Sequence, residues 1–193
     1  MTAYLRTLVI VDHPYYDLSV VNRRWLDEVR KYPEDCQVHN LQSSYPRSSI
    51  DVVNEHSLID HADALVLQFP IFWYNCPPMM KSWMDRVLSP GWAYAGGDHL
   101  AGKPVALAVT RGSREEAYRP EGANEHTLAE FLNSFTQAFK RVRADFRGIY
   151  AFYGAAPADG SKPDASELAM SARNYVDFLH SLIGKAPQAV AGK

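Results

Sequence analysis

The hydrophobic positions of the chain follow two alternating periodicities. Short and nearly continuous apolar runs predict five buried β-strands, at 5–11, 36–41, 63–69, 103–110 and 146–154. Apolar residues spaced three and four apart predict helices between and after the strands, at 19–32, 51–62, from Pro77 or Pro78 to about Leu88, 126–141 and 164–183. Strands that alternate with helices are typical of a parallel sheet whose connections cross over its faces.

This alternation predicts one α/β domain over residues 1–193, with a flexible tail at about 185–193. The first, third and fourth strands are the most continuously apolar, so they should occupy the centre of the sheet. Five strands with this pattern fit a doubly wound parallel sheet of order 2-1-3-4-5 with helices on both faces. In that order a ligand binds beyond the carboxyl ends of the strands, where the loops 12–19, 70–77 and 111–125 meet.

Composition narrows the classes of function. The 193 residues are 22% charged with a net charge of −2, so the chain lacks the positive charge with which proteins coat nucleic acid or bind anionic membranes. No apolar run approaches the roughly 18 residues of a spanning helix, and the first residues lack a signal-peptide cleavage site, which predicts a cytoplasmic protein. Cys36 and Cys76 show no metal or redox spacing and the histidines form no HExxH cluster, so no metal site is predicted.

The loop after the first strand reads DHPYYDLSVVN. It contains neither the GxGxxG of a dinucleotide cradle nor the GxxxxGK[ST] of a P-loop. His13 and Ser19 precede a predicted helix, whose first N–H groups can bind an anion without a cluster of lysines. A phosphate site is one interpretation. The alternative is that Asp17 or Ser19 only caps the helix and that His13 makes a contact within the turn.

The loop after the third strand, within LQFPIFWYNCPPMM, carries three successive aromatic residues, Phe72, Trp73 and Tyr74. Because successive side chains of an extended chain point in opposite directions, the three cannot all face inward. Aromatic surface beside a phosphate site can stack on a planar ring attached to that phosphate. The alternative is that these side chains pack in the core or at a subunit interface.

The loop after the fourth strand, TRGSREEAYRPEGANEH (110–126), is longer than most connections between a strand and a helix. Loops of this length are often functional, and Tyr118 offers a hydroxyl that can donate a hydrogen bond to a substrate. An ordinary solvated loop is the alternative.

Four segments together resemble one known family. They are HP with the following Ser19 and Asn22, FPIFWYNCPPMMKSWMDRVL, GWAY at 91–94, and EEAYRPEGAN. With these segments the chain resembles the flavodoxin-like NAD(P)H:quinone oxidoreductases over nearly its whole length, from about 5 to 183. Within that family it is most similar to the bacterial general-stress reductases and the ancillary reductases of potassium-efflux systems. The W-Y-x-x-P-P segment followed by K-x-W-x-D-x-V is highly specific.

The resemblance implies an FMN cofactor, NAD(P)H as the electron donor, and ping-pong transfer of two electrons to a quinone, a nitroaromatic or an azo compound. It places the FMN phosphate at His13 and the helix start, and the isoalloxazine ring against the second and third loops. The residues that it assigns to the cofactor are His13, Ser19, Val20, Val21, Asn22, Pro70, Ile71, Phe72, Trp73, Tyr74, Thr110, Arg111, Gly112 and Ser113. Two residues are implied to be catalytic. Tyr118 matches a tyrosine that lies over the flavin in relatives, and Asn124, with His126 nearby, stands where some relatives have a histidine.

One segment departs from the family pattern. Thr110 to Ser113 are implied to contact the polar edge of the ring through backbone amides, but relatives usually read T-T-G-G where this chain reads T-R-G-S. Ser113 replaces a glycine whose backbone approaches the flavin closely. Arg111 adds a positive charge that either lies at the carbonyl edge of the ring, where it would stabilise the anionic reduced flavin, or extends into solvent.

The resemblance also implies a homodimer, with SPGWAYAGG at 89–97 as the candidate contact between subunits. Two other functions stay open at this point. The protein could be a regulatory flavoprotein that docks peripherally on a membrane potassium-efflux system, or a one-electron carrier of the flavodoxin type. The carrier fits less well, because the long 111–125 loop indicates a lid over a substrate.

Overall fold

A parallel β-sheet organises the residues that the computed structural model describes, which are 5–156, 160 and 162–186. Within them, the strands are β1 (Thr7–Val11), β2 (Cys36–Asn40), β3 (Ala64–Pro70), β4 (Pro104–Thr110) and β5 (Asp145–Phe152). They are hydrogen-bonded in the order β2-β1-β3-β4-β5, and every pair is parallel. The predicted strand order is confirmed, and the three central strands are those with the most continuous apolar runs.

Helices cover both faces of this sheet, as predicted. They are α1 (Val21–Val29), α2 (Leu41–Ser44), α3 (Val52–Asp60), α4 (Pro78–Val87), α5 (Leu128–Phe131), α6 (Asn133–Arg141) and α7 (Ala165–Leu182). On one face α1 and α7 pack together, and Trp25 lies against Tyr175 with 4.7 Å between ring centroids. The helices α2 to α6 cover the opposite face, where Trp83 and Phe135 belong to the core.

The central strands β1, β3 and β4 are apolar at nearly every position because both of their faces are buried. In β1, Leu8 and Ile10 join the core beneath α4, whereas Val9 and Val11 join the core beneath α1. Full burial of an aliphatic side chain contributes about 1.5–3 kcal/mol. Burial on two faces also explains why the strand segments show no alternation of polar and apolar residues.

Two predicted helices have different boundaries in the structure. The first helix begins at Val21 rather than at residue 19, because Ser19 has extended backbone and its hydroxyl oxygen accepts the Asn22 N–H. The predicted helix 126–141 is divided into α5 and α6 at Leu132, whose backbone (φ −94°, ψ 9°) is not helical. Both differences arise from local backbone geometry that the spacing of apolar residues does not report.

Three further observations concern a short additional helix, the predicted tail and the length of the helices. The short α2 has no counterpart in the sequence prediction; it forms where the Asn40 side chain accepts the N–H groups of Gln42 and Ser43. The predicted tail at 185–193 falls outside the described residues from 187 onwards. Among the helices that the structure describes, none is long and apolar enough to cross a membrane.

Candidate functional site

A chain of buried hydrogen bonds joins the start of α1 to the sheet. The Tyr175 hydroxyl donates to Gln68 Oε1 at 3.0 Å, and Gln68 Nε2 donates to Asn22 Oδ1 at 3.1 Å. Asn22 Nδ2 in turn donates to Thr110 Oγ1 at 2.9 Å. All four side chains are buried. The network therefore holds the start of α1 against the carboxyl end of β4 and brings together Asn22 and Thr110, two of the predicted cofactor residues.

The start of α1 presents N–H groups without partners. Ser19 Oγ accepts the Asn22 N–H at 3.2 Å and Asn22 Nδ2 at 3.3 Å, so its own proton is left to be donated outward. The N–H groups of Val20 and Val21 have no acceptor among the described residues. Two amides and a hydroxyl at the positive end of a helix suit an oxyanion such as phosphate. Capping by Ser19 and anion binding are therefore compatible interpretations of this segment.

His13 makes the contact within the turn that the sequence left open. Its Nδ1 accepts the Tyr15 N–H at 3.2 Å, and its ring meets Phe72 edge-on with 6.5 Å between centroids. Burial lowers the pKa of His13 from its ordinary value of 6.5, so the imidazole is neutral at pH 7. Because Nδ1 is an acceptor, the single proton lies on Nε2, which makes His13 a neutral hydrogen-bond donor.

The three successive aromatic residues lie in a tight turn. Phe72 and Asn75 exchange backbone hydrogen bonds of 2.8 and 3.0 Å, and Trp73 (φ 46°) and Tyr74 (φ 63°) both have left-handed backbone. This is a type I′ turn, whose two central positions usually hold asparagine and glycine. The expectation of extended backbone is therefore wrong here, and the side chains diverge. Trp73 is 93% exposed, whereas Tyr74 stacks on Phe131 with 4.6 Å between ring centroids.

The aromatic turn is strained and firmly anchored. Left-handed backbone at a non-glycine residue costs about 1–3 kcal/mol and occurs preferentially at ligand sites. The base of the turn is fixed where the Ile71 N–H donates to the Thr110 carbonyl at 2.9 Å, directly after the buried Pro70. At its other end Asn75 Oδ1 accepts the Cys76 N–H at 2.8 Å. These contacts hold the predicted ring-binding residues beside the end of β4.

Asp12, which no motif marks, ties the end of β1 to the helix after the aromatic turn. Its Oδ2 accepts the Met80 N–H at 2.7 Å and its Oδ1 accepts Gln42 Nε2 at 2.8 Å. Burial raises the pKa of the Asp12 carboxyl, and the two hydrogen bonds only partly oppose that effect. A signal was present in the sequence, since Asp12 is the first charged residue after the apolar run TLVIV.

The backbone after β4 is only partly available to a ligand. Arg111 donates its N–H to the Phe152 carbonyl at 2.9 Å, so this amide belongs to the sheet and cannot make the predicted contact with the ring. The N–H groups of Gly112 and Ser113 have no acceptor among the residues that the structure describes. A Cβ at Gly112 would lie 3.0 Å from the Ala156 carbonyl oxygen, which explains why a glycine fits there.

The Arg111 side chain is buried, with only 6% of its surface exposed. The alternative in which it extends into solvent is therefore wrong. Its Cζ lies 3.5 Å from the centroid of the Tyr118 ring, which is a cation–π contact. Its Nε and Nη1 are buried and make no hydrogen bond within the part of the chain that the structure describes. Burial lowers the pKa of Arg111 to about 10, with Tyr153 and Tyr74 acting in the opposite direction, so the guanidinium stays charged at neutral pH.

The long loop folds against the aromatic turn rather than extending into solvent. Tyr118 is buried and meets Phe131 edge-on, with 6.0 Å between centroids. The Asn124 N–H donates to the Ala117 carbonyl at 3.0 Å, and Asn124 Oδ1 accepts the Tyr74 hydroxyl at 3.1 Å. Asn124 Nδ2 is buried and has no hydrogen-bond partner among the residues described. The structure thus brings both predicted catalytic residues to the edge of the sheet where the predicted phosphate and ring sites lie.

Comparison with known proteins identifies the family. The sequence model of a family described as having a flavodoxin-like fold matches residues 5–178. The chain belongs to this flavodoxin-like family. The uncharacterised NAD(P)H oxidoreductase YrkL of Bacillus subtilis is 37% identical over 176 residues, which cover 91% of this chain and 98% of YrkL. The glutathione-regulated potassium-efflux system ancillary protein KefG of Cronobacter sakazakii is 36% identical over 180 residues, which cover 93% of this chain and 95% of KefG.

A solved structure supports the same assignment. The general stress protein 14 of Treponema denticola, crystallised in complex with FMN, superimposes with a TM-score of 0.84 at 40% identity. The match covers 92% of this flavodoxin-like chain and 99% of the other. The resemblance that the motifs suggested is confirmed, since the relatives include a general stress protein, a potassium-efflux ancillary protein and a protein named as an NAD(P)H oxidoreductase.

Proposed function

We propose that this flavodoxin-like protein is an FMN-dependent oxidoreductase that takes two electrons from NAD(P)H and passes them to a quinone or a related electrophilic acceptor. The observation that carries the proposal is the juxtaposition, at one edge of the sheet, of unpaired N–H groups at the α1 start with a strained aromatic turn. A relative that is 40% identical over 92% of this chain was crystallised with FMN, and another relative is named an NAD(P)H oxidoreductase.

The FMN phosphate would bind at the start of α1. The donors are the N–H groups of Val20 and Val21, the Ser19 hydroxyl and the Nε2 of His13, and all four are neutral. A helix N-terminus favours a phosphate without lysine or arginine side chains, which agrees with the slightly acidic composition of the chain. In this arrangement Asn22 acts by orienting Ser19 and Thr110 rather than by touching the phosphate.

The isoalloxazine ring would lie between the aromatic turn and the loop after β4. Pro70, Ile71 and the side chains of the turn would flank the ring, while the free N–H groups of Gly112 and Ser113 would bind its polar edge. When bound, FMN supplies the two-electron redox chemistry, and the protein supplies position and electrostatics.

The nicotinamide and the acceptor would occupy one pocket in turn, which gives ping-pong order. Tyr118 and Asn124 line that pocket in our proposal, and each offers an N–H or O–H donor to a carbonyl oxygen. Asn124 cannot supply a proton, because its amide does not titrate. The side chains in contact with it that can carry a transferable proton are the Tyr74 hydroxyl, 3.1 Å from its Oδ1, and the exposed His126, whose Nδ1 lies 3.2 Å from its backbone carbonyl oxygen.

Anaerobic mixing of the purified holoprotein with NADH or NADPH tests the proposal. We expect loss of the visible flavin absorbance, followed by full recovery when a quinone is added in a second mixing step. The released flavin should be FMN and not FAD, since one compact phosphate site is present without a GxGxxG segment. A protein that binds FMN but accepts no hydride from either nicotinamide is a carrier of the flavodoxin type, and that result would overturn the proposed reaction.

The comparison with KefG favours a second function. KefG is named as an ancillary protein of a potassium-efflux system. We propose as the alternative that this protein is cytoplasmic and docks peripherally on such a membrane system, with oxidoreductase activity secondary to regulation. Co-sedimentation with membrane vesicles that carry a potassium-efflux transporter, compared with vesicles that lack it, tests the docking. Equal sedimentation with both vesicles argues against it.

We also propose that the active form is a homodimer. An open groove between α4 and α6 is lined by apolar side chains that include Met84, Leu88 and Phe135. The segment 89–97, which the sequence suggested as a subunit contact, contributes Tyr94 to this groove. Sedimentation velocity should give a dimer for the native protein and a folded monomer for Leu88→Glu, since Leu88 is only partly buried. A native monomer would exclude the dimer.

A further inference from the structure

We propose that Arg111 and Asn124 form a binding site for an electron-rich oxygen of a planar ligand, as found in a ring carbonyl or an aromatic carboxylate. The inference rests on the proposed function, because the ligand would lie in the proposed redox pocket. It concerns a feature of this chain that departs from the family pattern, in which threonine usually stands where this chain has Arg111.

The first observation is a buried positive charge that has no counter-charge among the described residues. Arg111 is 6% exposed, and its buried Nε and Nη1 form no hydrogen bond with any residue that the structure describes. None of the ion pairs among the described residues includes it. A buried charge is costly unless it is paired and hydrogen-bonded, so a guanidinium without a partner among the described residues suits a bound ligand that supplies one.

The second observation is an amide donor with a fixed direction. Asn124 Oδ1 accepts the Tyr74 hydroxyl at 3.1 Å, and in this orientation of the amide Nδ2 is directed away from Tyr74 as a donor. Nδ2 is buried and has no acceptor among the described residues. Because an amide nitrogen is only a donor, a ligand that satisfies Nδ2 must bring an acceptor of its own.

The two sets of donors belong to one aromatic cluster. The Arg111 guanidinium lies on the Tyr118 ring, and Asn124 is hydrogen-bonded to Tyr74. Phe131 joins the two tyrosines, with 6.0 Å between its ring centroid and that of Tyr118 and 4.6 Å between its centroid and that of Tyr74. Unpaired N–H groups select an oxygen, the positive charge favours a negative or strongly polarised one, and aromatic walls favour a flat ligand. The oxygen can come from the flavin ring or from the acceptor, and the experiment separates these two sources.

The experiment compares Arg111→Gln with the wild type and with Arg119→Gln, the same change at an exposed arginine of the same loop. FMN affinity of each apoprotein is measured by fluorescence quenching, and binding of benzoate and of benzamide to each holoprotein by difference absorbance. We expect Arg111→Gln to weaken the binding of either FMN or benzoate at least about tenfold, because hydrogen bonds to a charged group are lost. Weaker FMN binding assigns the oxygen to the flavin ring. Weaker benzoate binding with unchanged FMN affinity and little change for benzamide assigns it to the acceptor.

A melting curve of the apoproteins separates this role from a structural one. Removal of an unpaired buried charge should leave the melting temperature of Arg111→Gln unchanged or raise it. If the arginine instead stabilises the fold, the same change should lower the melting temperature. Asn124→Asp is the second variant, since it keeps the oxygen that Tyr74 requires and replaces the Nδ2 donor by an acceptor. We expect it to weaken binding of the same ligand as Arg111→Gln does. If Arg111→Gln does not fold, the affinities of Asn124→Asp for FMN and benzoate test the inference instead.

If Arg111→Gln binds both FMN and benzoate as tightly as the wild type does, the inference is wrong. A wild-type protein that binds no FMN overturns the proposed function instead. In that case the benzoate comparison is repeated on the apoproteins, where a tenfold loss in Arg111→Gln supports the oxygen site and equal binding rejects it.

Discussion

The Asp12 carboxylate accepts the backbone N–H of Met80 at 2.7 Å, so the end of β1 holds the first turn of α4 in place. The same carboxylate accepts the side-chain amide of Gln42. Because α4 begins directly after the aromatic turn, the position of that turn depends on a residue that takes no part in it. A single buried acidic group thereby links the predicted phosphate loop to the predicted ring site.

We expect Asp12→Ala to lower the free energy of unfolding of the apoprotein by about 1–3 kcal/mol, because the Met80 N–H is left buried without an acceptor. Asp12→Asn should cost less, since its oxygen can accept the Met80 N–H while a rotated Gln42 accepts from its nitrogen. Urea denaturation measures both changes. Asp17→Ala, at an exposed position of the following loop, is the control and should be neutral. Equal stability of Asp12→Ala and the wild type would contradict the linking role.

The double variant His13→Ala with Ser19→Ala should weaken FMN binding at least tenfold, because each lost hydrogen bond to a charged oxygen is worth about 1.5–3 kcal/mol. Asp51→Ala is a matched control. Asp51 caps α3 by accepting the Asn54 N–H at 3.1 Å, the same contact that Ser19 makes at α1. Its loss should cost about 1 kcal/mol of stability and leave FMN affinity unchanged. Unchanged affinity of the double variant would place the phosphate elsewhere.

Trp73→Asn should stabilise the apoprotein and weaken FMN binding. Asparagine tolerates the left-handed backbone that Trp73 adopts, so we expect a gain of roughly 0.5–1 kcal/mol in the free energy of unfolding. Trp73→Leu also removes the aromatic ring but keeps the strain, and it should weaken FMN binding without the gain. Thermal melts of the apoproteins and FMN titrations of both variants test this. A destabilised Trp73→Asn would show that the turn is not strained by its side chain.

Glu55→Gln should destabilise the protein in a way that depends on pH. Burial acts to raise the pKa of Glu55, but hydrogen bonds from His39, Tyr45 and Trp83 outweigh it, so the pKa is lowered from its ordinary value of 4.5. A carboxyl whose pKa is lower in the folded state contributes stability above the unfolded pKa, and this contribution is lost as the pH falls through the folded value. We expect a difference of about 1–3 kcal/mol from wild type at pH 7 that shrinks below pH 4.5. A difference that does not vary with pH would mean that the charge of Glu55 is unimportant.

The arrangement of the sheet and its helices was predictable because a parallel strand that is buried on both faces has a nearly continuous run of apolar residues. β1, β3 and β4 are apolar at nearly every position, and the structure places them at the centre of the sheet. The ends of the helices were less predictable. Ser19 is part of the predicted first helix by its spacing, yet its hydroxyl competes for the Asn22 N–H and keeps its own backbone extended.

The motifs predicted which residues would form the candidate site, but they did not predict the geometry of those residues. No local rule places tryptophan and tyrosine at the two left-handed positions of a type I′ turn, so Trp73 and Tyr74 contradict the expectation of extended backbone. A charged residue in a long polar loop is normally solvated, and the burial of Arg111 depends on a stacking contact with Tyr118, seven positions further along the chain. Both features violate local preferences, which is typical of positions under functional demand.

The hydrogen bond from Tyr175 to Gln68 has a consequence for the order in which the protein can mature. Tyr175 lies on α7, the last helix that the structure describes, and it is the far end of the buried network that orients Asn22 and Thr110. During synthesis the phosphate loop and the aromatic turn therefore leave the ribosome well before the residue that aligns them. Cofactor capture should then wait for the segment around residue 175, and a chain halted before that residue should be colourless even though most of its proposed flavin contacts have been synthesised.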